Sequence, residues 1–122
     1  MAKILIVDDS TTMRESLNLV LLSAGHKVDQ AINGVDGLNV FGKNKDYNLI
    51  ITDINMPEMN GLDFIANLRK VSKDIPIIVL TTETEKEKIE IAKSYKASAW
   101  IVKPFKPADL LTVVTKVINT PK

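Results

Sequence analysis

Apolar residues fall along this chain in two rhythms. Ile4-Leu5-Ile6-Val7, Leu49-Ile50-Ile51 and Ile77-Ile78-Val79-Leu80 are short unbroken runs, as expected of strands buried on both faces. Between them apolar positions recur every three or four residues, the period of a helix with one buried face. The first run, Lys3 to Val7, ends in Asp8-Asp9. Ser10, Thr11 and Thr12 follow as N-cap residues, and Thr12 with Glu15 has capping-box spacing. That helix is expected to reach about Ala24, with Leu17, Val20, Leu21 and Ala24 inward and Gly25 closing it. Lys27-Val28-Asp29-Gln30-Ala31 alternates instead, which suits a half-exposed strand at a sheet edge. Asn33-Gly34 opens a second helix through about Phe41, with Val35, Leu38 and Phe41 inward. A central strand runs from about Asn48 to Asp53. After a loop in which Gly61 lets the backbone turn, a helix from Leu62 to about Val71 buries Phe64, Ile65 and Leu68. Ile77 to Thr81 is the fourth strand. Thr84 and Glu87 repeat the capping box, starting a helix to about Lys96 with Ile91, Ala92 and Tyr95 inward. Ala99 to Lys103 is the fifth strand, and Pro107 suits the first turn of a last helix, to about Ile118, packed by Leu110, Val114 and Val117.

Strands and helices therefore alternate five times. Right-handed crossovers turn that alternation into an α/β fold, a (βα)5 doubly wound parallel sheet with helices on both faces. The half-exposed second strand belongs at an edge, and the first and third belong inside. This fits the order 2-1-3-4-5 already known of flavodoxin-like sheets.

Composition narrows the class. The chain has 122 residues with 45% hydrophobic content, enough for one domain, residues 1–122, with a genuine core. It has no cysteine, which excludes a disulfide scaffold, a zinc–thiolate site and a thiol nucleophile. A net charge of +1 gives no electrostatic reason to expect nucleic acid. The first apolar run is too brief for a signal peptide, and no stretch approaches membrane-spanning length. The expectation is a cytoplasmic, monomeric single domain with no membrane partner and no attached output domain.

In a parallel sheet the C-terminal strand ends share one rim. Asp8 and Asp9 end the first strand, Asp53 the third, Thr81 the fourth and Lys103 the fifth. Each has an ordinary explanation alone: a cap, a turn, a β-prone residue, a solvated lysine. Together they gather three carboxylates, a hydroxyl and an ammonium where such sheets bind ligands. Clustered acids repel and call for a cation, and an all-oxygen donor set without His or Cys favours Mg²⁺ or a similar ion. A carboxylate can also be a nucleophile, forming an aspartyl phosphate. Phosphoryl transfer then needs charge neutralisation and alignment, which a cation, Lys103 and Thr81 can supply.

With these residues in view, the chain resembles the receiver domains of two-component response regulators, in particular the stand-alone chemotaxis receivers of the CheY kind. The matching stretches cover nearly the whole chain: Ile4-Leu5-Ile6-Val7-Asp8-Asp9-Ser10, Asp53-Ile54-Asn55-Met56-Pro57 with Met59-Asn60-Gly61, Leu80-Thr81-Thr82-Glu83, and Trp100-Ile101-Val102-Lys103-Pro104-Phe105. The resemblance implies phosphorylation of Asp53 by a histidine kinase of the chemotaxis CheA kind. It implies Mg²⁺ held by the side chains of Asp9 and Asp53, by Asp8 through water and by the Asn55 carbonyl. Thr81 and Lys103 would contact the phosphoryl group, and Asn55 and Glu83 would modulate a fast self-dephosphorylation. Catalysis would be confined to the chain's own phosphoryl transfer and hydrolysis. One departure is Trp100, where the family's switch aromatic is usually Tyr or Phe. Ser98-Ala99 also stands where many relatives carry glycine.

By the same resemblance, output is protein binding through the fourth helix, fifth strand and fifth helix. Ile89 falls off the Ile91/Ala92/Tyr95 stripe and is expected exposed there, beside Trp100 and Val102. Lys86, Lys88, Lys93 and Lys96, interleaved with Glu85, Glu87 and Glu90, read as a solvated helix face. The leading target is the flagellar motor switch, and a phosphatase would be a further partner; the alternative is a receiver in another pathway or a phosphate sink. A flavin carrier shares the architecture, but Asp8 and Asp9 would repel the flavin phosphate and 5% aromatics offers few rings. A phosphatase of the haloacid-dehalogenase type needs a second Asp where Asn55 stands. A docking module with a degenerate site is the third rival, although no site residue is missing. His26, the lone histidine, reads as a surface residue.

Overall fold

The computed structural model describes residues 2–56, 58–82 and 86–119. The elements alternate as β1 (Lys3–Val7), α1 (Thr11–Ser23), β2 (Lys27–Ala31), α2 (Gly34–Lys43), β3 (Leu49–Asp53), α3 (Gly61–Val71), β4 (Ile77–Thr81), α4 (Lys86–Ser94), β5 (Ala99–Val102) and α5 (Pro107–Asn119). All neighbouring strands pair in parallel, in the order β2-β1-β3-β4-β5. The flavodoxin-like (βα)5 arrangement is therefore as expected, with the alternating strand β2 at one edge.

Strand periodicity sorts the core into two layers. Ile4, Ile6, Leu49, Ile51, Ile78 and Leu80 point to one face and pack with Leu17 and Leu21 of α1 and Leu110 and Val114 of α5. Leu5, Val7, Ile50, Ile77 and Val79 point to the other and pack with Phe41 of α2, Phe64, Ile65 and Leu68 of α3, and Ala92 of α4. Every residue of β3 and β4 is buried, so neither strand has a face to give to solvent.

The helix ends follow from side-chain chemistry. α1 starts two residues before the expected Thr12 box would start it, because its cap is Ser10, whose Oγ accepts the Met13 N–H at 3.2 Å. Asn33 Oδ1 caps α2 and Asn60 Oδ1 caps α3 in the same way, taking the Asp36 and Asp63 N–H groups. Gly25, at φ 89°, stops α1 in the left-handed region: its N–H meets the Leu22 carbonyl and the His26 N–H meets that of Leu21. Ala24, expected inward, is exposed. His26 is half-buried, not a surface residue, and its Nδ1 accepts the Ala2 N–H at 3.0 Å.

Two helix faces differ from expectation. In α2 the buried side is Gly34, Gly37 and Phe41, while Val35 is exposed. Gly37 lies against Phe64, close enough that a Cβ there would meet the ring at 2.9 Å. In α4 the buried pair is Ile89 and Ala92; Ile89 is 9% exposed, whereas Ile91 is 46% and Tyr95 37% exposed. The Ile91/Ala92/Tyr95 stripe requires a helix to Lys96, but α4 ends at Ser94. Lys96 turns left-handed at φ 64°, and the Ala97 N–H reaches back to the Ala92 carbonyl. Ile91 is two residues from Ile89, about 200° around the axis, so only one of them can face the core. The expected Thr84 cap and Glu83 lie outside the described residues.

Candidate functional site at the carboxyl rim of the sheet

Asp8 follows β1, Asp53 closes β3, Thr81 closes β4 and Lys103 follows β5, so the strand register alone delivers them to one rim. The rim is buried to an unusual degree for polar groups. Asp8 and Thr81 are wholly inaccessible and Asp53 is 7% exposed, while Asp9 is open to solvent. Carboxylate oxygens of Asp8, Asp9 and Asp53 lie within 4.8 Å of one another.

Both oxygens of Asp53 are engaged. Oδ1 accepts the Ile54 N–H at 2.7 Å, and Oδ2 accepts from Lys103 Nζ at 2.9 Å. This is a charge-assisted bond between two poorly exposed groups, so it is stronger than a surface ion pair. The Lys103 main chain is tied as well, its N–H donating to the Thr81 carbonyl at 2.7 Å, and the Lys103-Pro104 bond is cis. Asp8 is held differently. Its Oδ1 accepts the Ser10 N–H at 2.9 Å, and Arg14 Nη1 donates to its carbonyl at 2.7 Å. Its Oδ2 is the one buried side-chain polar atom without a partner among the described residues. Burial pushes the Asp8 carboxyl up from its ordinary 3.8; Asp53 and Asp9 add to the rise, while the Ser10 N–H and Lys103 oppose it.

An orphaned, buried carboxylate oxygen beside two further carboxylates is a place where a cation would offset both the burial and the repulsion. The donors are all oxygen, which suits a hard divalent ion and no soft one. The three acids therefore fit a metal, as the sequence suggested.

Gly61 explains how close the β3–α3 connection lies. Its N–H donates to the Ile54 carbonyl at 2.7 Å, and a Cβ on it would stand 2.1 Å from the Asp53 carbonyl oxygen. It is needed for approach, not for the turn that sequence reasoning assigned to it; Glu58, at φ 67°, carries the left-handed turn. Asn55 lies exposed two residues beyond Asp53, and its Oδ1 accepts from Lys88 Nζ of α4 at 2.7 Å. Thr81 Oγ1 donates to the Thr82 carbonyl at 3.2 Å, so its hydroxyl is not turned to Asp53.

The fold is matched over most of its length by known proteins. The profile of the response regulator receiver domain matches residues 4–115. The chain belongs to that family. It is 41% identical over 121 residues to a chemotaxis protein CheY homologue of Campylobacter jejuni, covering 97% of this chain and 93% of that protein. Chemotaxis protein CheY1 of Helicobacter pylori is also 41% identical, with 97% and 98% covered. The crystal structure of chemotaxis protein CheY4 of Vibrio cholerae superposes with a TM-score of 0.90 at 41% identity, covering 96% of this chain and 98% of that one. This is thus a receiver domain of the CheY type, a component of two-component signalling.

The receiver's α4–β5 side is built from different material. Trp100 is 43% exposed, and the Lys93 ammonium sits 4.3 Å from its ring centroid while also pairing with Glu90 at 3.3 Å. Val102 is half-buried and pairs with Thr81 in register. Ile91, Tyr95 and Trp100 are the exposed apolar residues here, in place of Ile89. Arg69 of α3 anchors the end of α4: Nε donates to the Tyr95 carbonyl at 2.7 Å and Nη2 to that of Lys96 at 3.1 Å, while Nη1 serves Ser72 and Ile75. Sequence reasoning passed over Arg14 and Arg69 and took Lys88 and Lys93 for solvated residues. The Arg69–Tyr95, Lys88–Asn55 and Lys93–Trp100 contacts reach partners that helical periodicity cannot indicate. Among the described residues, no helix is long and apolar enough to cross a membrane.

Proposed function

We propose that this receiver accepts a phosphoryl group on Asp53 from a histidine kinase and signals by binding a protein target. The observation that carries this reading is the Asp53 carboxylate at the buried rim, with Lys103 on one oxygen and two further acids beside it. In the transfer, a carboxylate oxygen of Asp53 bonds to phosphorus as the P–N bond of phosphohistidine breaks, and that electron pair returns to the imidazole. Lys103, already on Oδ2, is placed to follow the charge onto a phosphoryl oxygen. The Thr81 hydroxyl must leave the Thr82 carbonyl to donate to another. Asp9, Asp53 and the Asn55 carbonyl, with Asp8 through water, would hold Mg²⁺, which when bound offsets the repulsion of the carboxylates and the transferring oxygens. The chain's own catalysis is confined to this transfer and to hydrolysis of its acyl phosphate, with Asn55 and Glu83 as modulators.

Thr81 and Val102 are register partners, so a shift at Thr81 bears on β5 and on Trp100. The output face is then Ile91, Tyr95 and Trp100 with Val102, and the target we favour is the flagellar motor switch, since the relatives are chemotaxis proteins. The test is a beryllofluoride titration with Mg²⁺, read through Trp100, the sole tryptophan. A saturable change that disappears in Asp53→Asn supports the acceptor role; silence in the wild type, with no mass shift on phosphoramidate treatment, overturns it. Equal binding of the phosphorylated and unmodified forms to a motor switch protein from the same cell would refute the proposed target.

A further inference from the structure

The bond between Lys88 and Asn55 joins α4 to the mouth of the site across 33 positions of sequence. An ammonium only donates, so the Asn55 atom that it meets must be the carboxamide oxygen. At 2.7 Å the bond is short and charge-assisted. Lys88 is half-buried, unlike Lys86 and Lys93 on the same helix, so its side chain lies against the protein. We propose that Lys88 is a positioning residue that lengthens the life of the aspartyl phosphate by holding the Asn55 oxygen towards α4. The inference rests on the receiver reading and adds to it what sets the duration of the signal.

Hydrolysis of the acyl phosphate brings a water oxygen to phosphorus. The bond from phosphorus to the Asp53 oxygen breaks, its electron pair returns to the carboxylate, and the water's proton leaves to bulk water. A water held for that attack needs an acceptor for one of its hydrogens. Of the polar groups on the Asn55 side chain only the oxygen can accept. With that oxygen drawn to Lys88, the carboxamide orients the water poorly and hydrolysis is slow. Displacement of α4 by a bound target releases the oxygen and shortens the phosphorylated state. Lys88 acts on the reaction through Asn55, as a positioning residue.

The experiment loads the full chain from phosphoramidate with Mg²⁺, removes the donor, and follows release of inorganic phosphate. Lys88→Met keeps the length and apolar stem but removes the donor; Lys88→Arg keeps a donor. Lys88→Met is expected to speed release by about threefold or more, with Lys88→Arg near the wild-type rate. In an Asn55→Ala background, Lys88→Met is expected to change nothing further, an outcome that a merely structural role would not produce. Unchanged release in Lys88→Met, or an equal acceleration with and without Asn55, overturns the proposal while leaving the receiver reading intact. A wild type that takes up no phosphoryl group overturns both.

Discussion

The acid rim and the α4 face meet at one lysine, yet opposite means hold them in place. The rim rests on β1, β3 and β4, and all of β3 and β4 is buried, so Asp53 cannot shift without moving packed strands. α4 is nine residues long with only Ile89 and Ala92 buried. What secures it besides that pair is a set of long polar contacts: Lys88 to Asn55, Lys93 to Trp100, and Arg69 to the carbonyls of Tyr95 and Lys96. Chemistry that needs fixed geometry sits on the first kind of support. A surface that must change sits on the second, where local opening costs least.

That contrast is tested hardest where the rim is tightest. Gly61→Ala must drive a methyl into the Asp53 carbonyl oxygen at 2.1 Å, against backbone that cannot yield as a flexible side chain would. We expect a loss of about 3 kcal/mol, seen as a lower urea midpoint at unchanged slope. A loss below about 1 kcal/mol would mean that this loop gives way easily, and the rim is not the rigid partner.

Arg69→Met probes the other side. It removes guanidinium bonds to four carbonyls at the ends of α3 and α4, and a cost of about 2 kcal/mol is expected. The contrast requires that cost to be local. Hydrogen exchange at the Lys96 and Ala97 amides should speed roughly thirtyfold, while amides of β3 change much less. Equal acceleration in β3 would mean that α4 and the sheet open as one unit.

The two regions also differ in how far they can be read from sequence. Strands β1, β3 and β4 announce themselves through runs such as Ile77-Ile78-Val79-Leu80, and because parallel strands present their ends together, Asp8, Asp53, Thr81 and Lys103 follow at once. Burial acts there on short-range patterns. Around α4 two apolar stripes compete, one through Ile89 and Ala92 and one through Ile91, Ala92 and Tyr95. The choice depends on where the helix stops, and Lys96 in the left-handed region carries no glycine or asparagine to signal it. The Arg69, Lys88 and Lys93 contacts lie between residues distant in sequence or in an exposed side chain's choice of partner, and no periodicity encodes them. Gly61 was legible as a special position but not in its reason, since a turn and a close approach leave the same letter.

Asp8 gives a smaller effect of opposite sign. Its folded carboxyl is raised above 3.8, chiefly by burial, so between its unfolded and folded values the native state binds more protons than the unfolded one. Stability contributed by this group is full below the unfolded value and falls as pH rises through the folded one. Without metal, Asp8→Asn should therefore be about 1 kcal/mol more stable than wild type at pH 7 and equal to it at acid pH, because the amide oxygen still accepts from Ser10. Thermal melts in EDTA across that range measure the difference. Added Mg²⁺ should raise the melting temperature of the wild type more than that of the variant. A variant less stable at pH 7 would show that the charge of Asp8 is already compensated within the rim.

The smallest effect addresses whether the two regions communicate through the indole. Lys93 lies over the Trp100 face, and such a contact at an exposed site contributes about 0.5 kcal/mol. If the ring must leave that ammonium when Asp53 is modified, the contact opposes switching. Lys93→Met, which keeps an apolar stem near the ring, should then lower the beryllofluoride midpoint by about twofold. The Glu90 pair that Lys93 also makes is exposed and adds little to the shift. An unchanged midpoint, with fluorescence still responding, would mean that Trp100 reports on its surroundings while its ring stays on Lys93. In that case the larger ring has fixed the aromatic position, and the rim reaches the α4 face by another route, such as the Lys88–Asn55 bond at the mouth of the site.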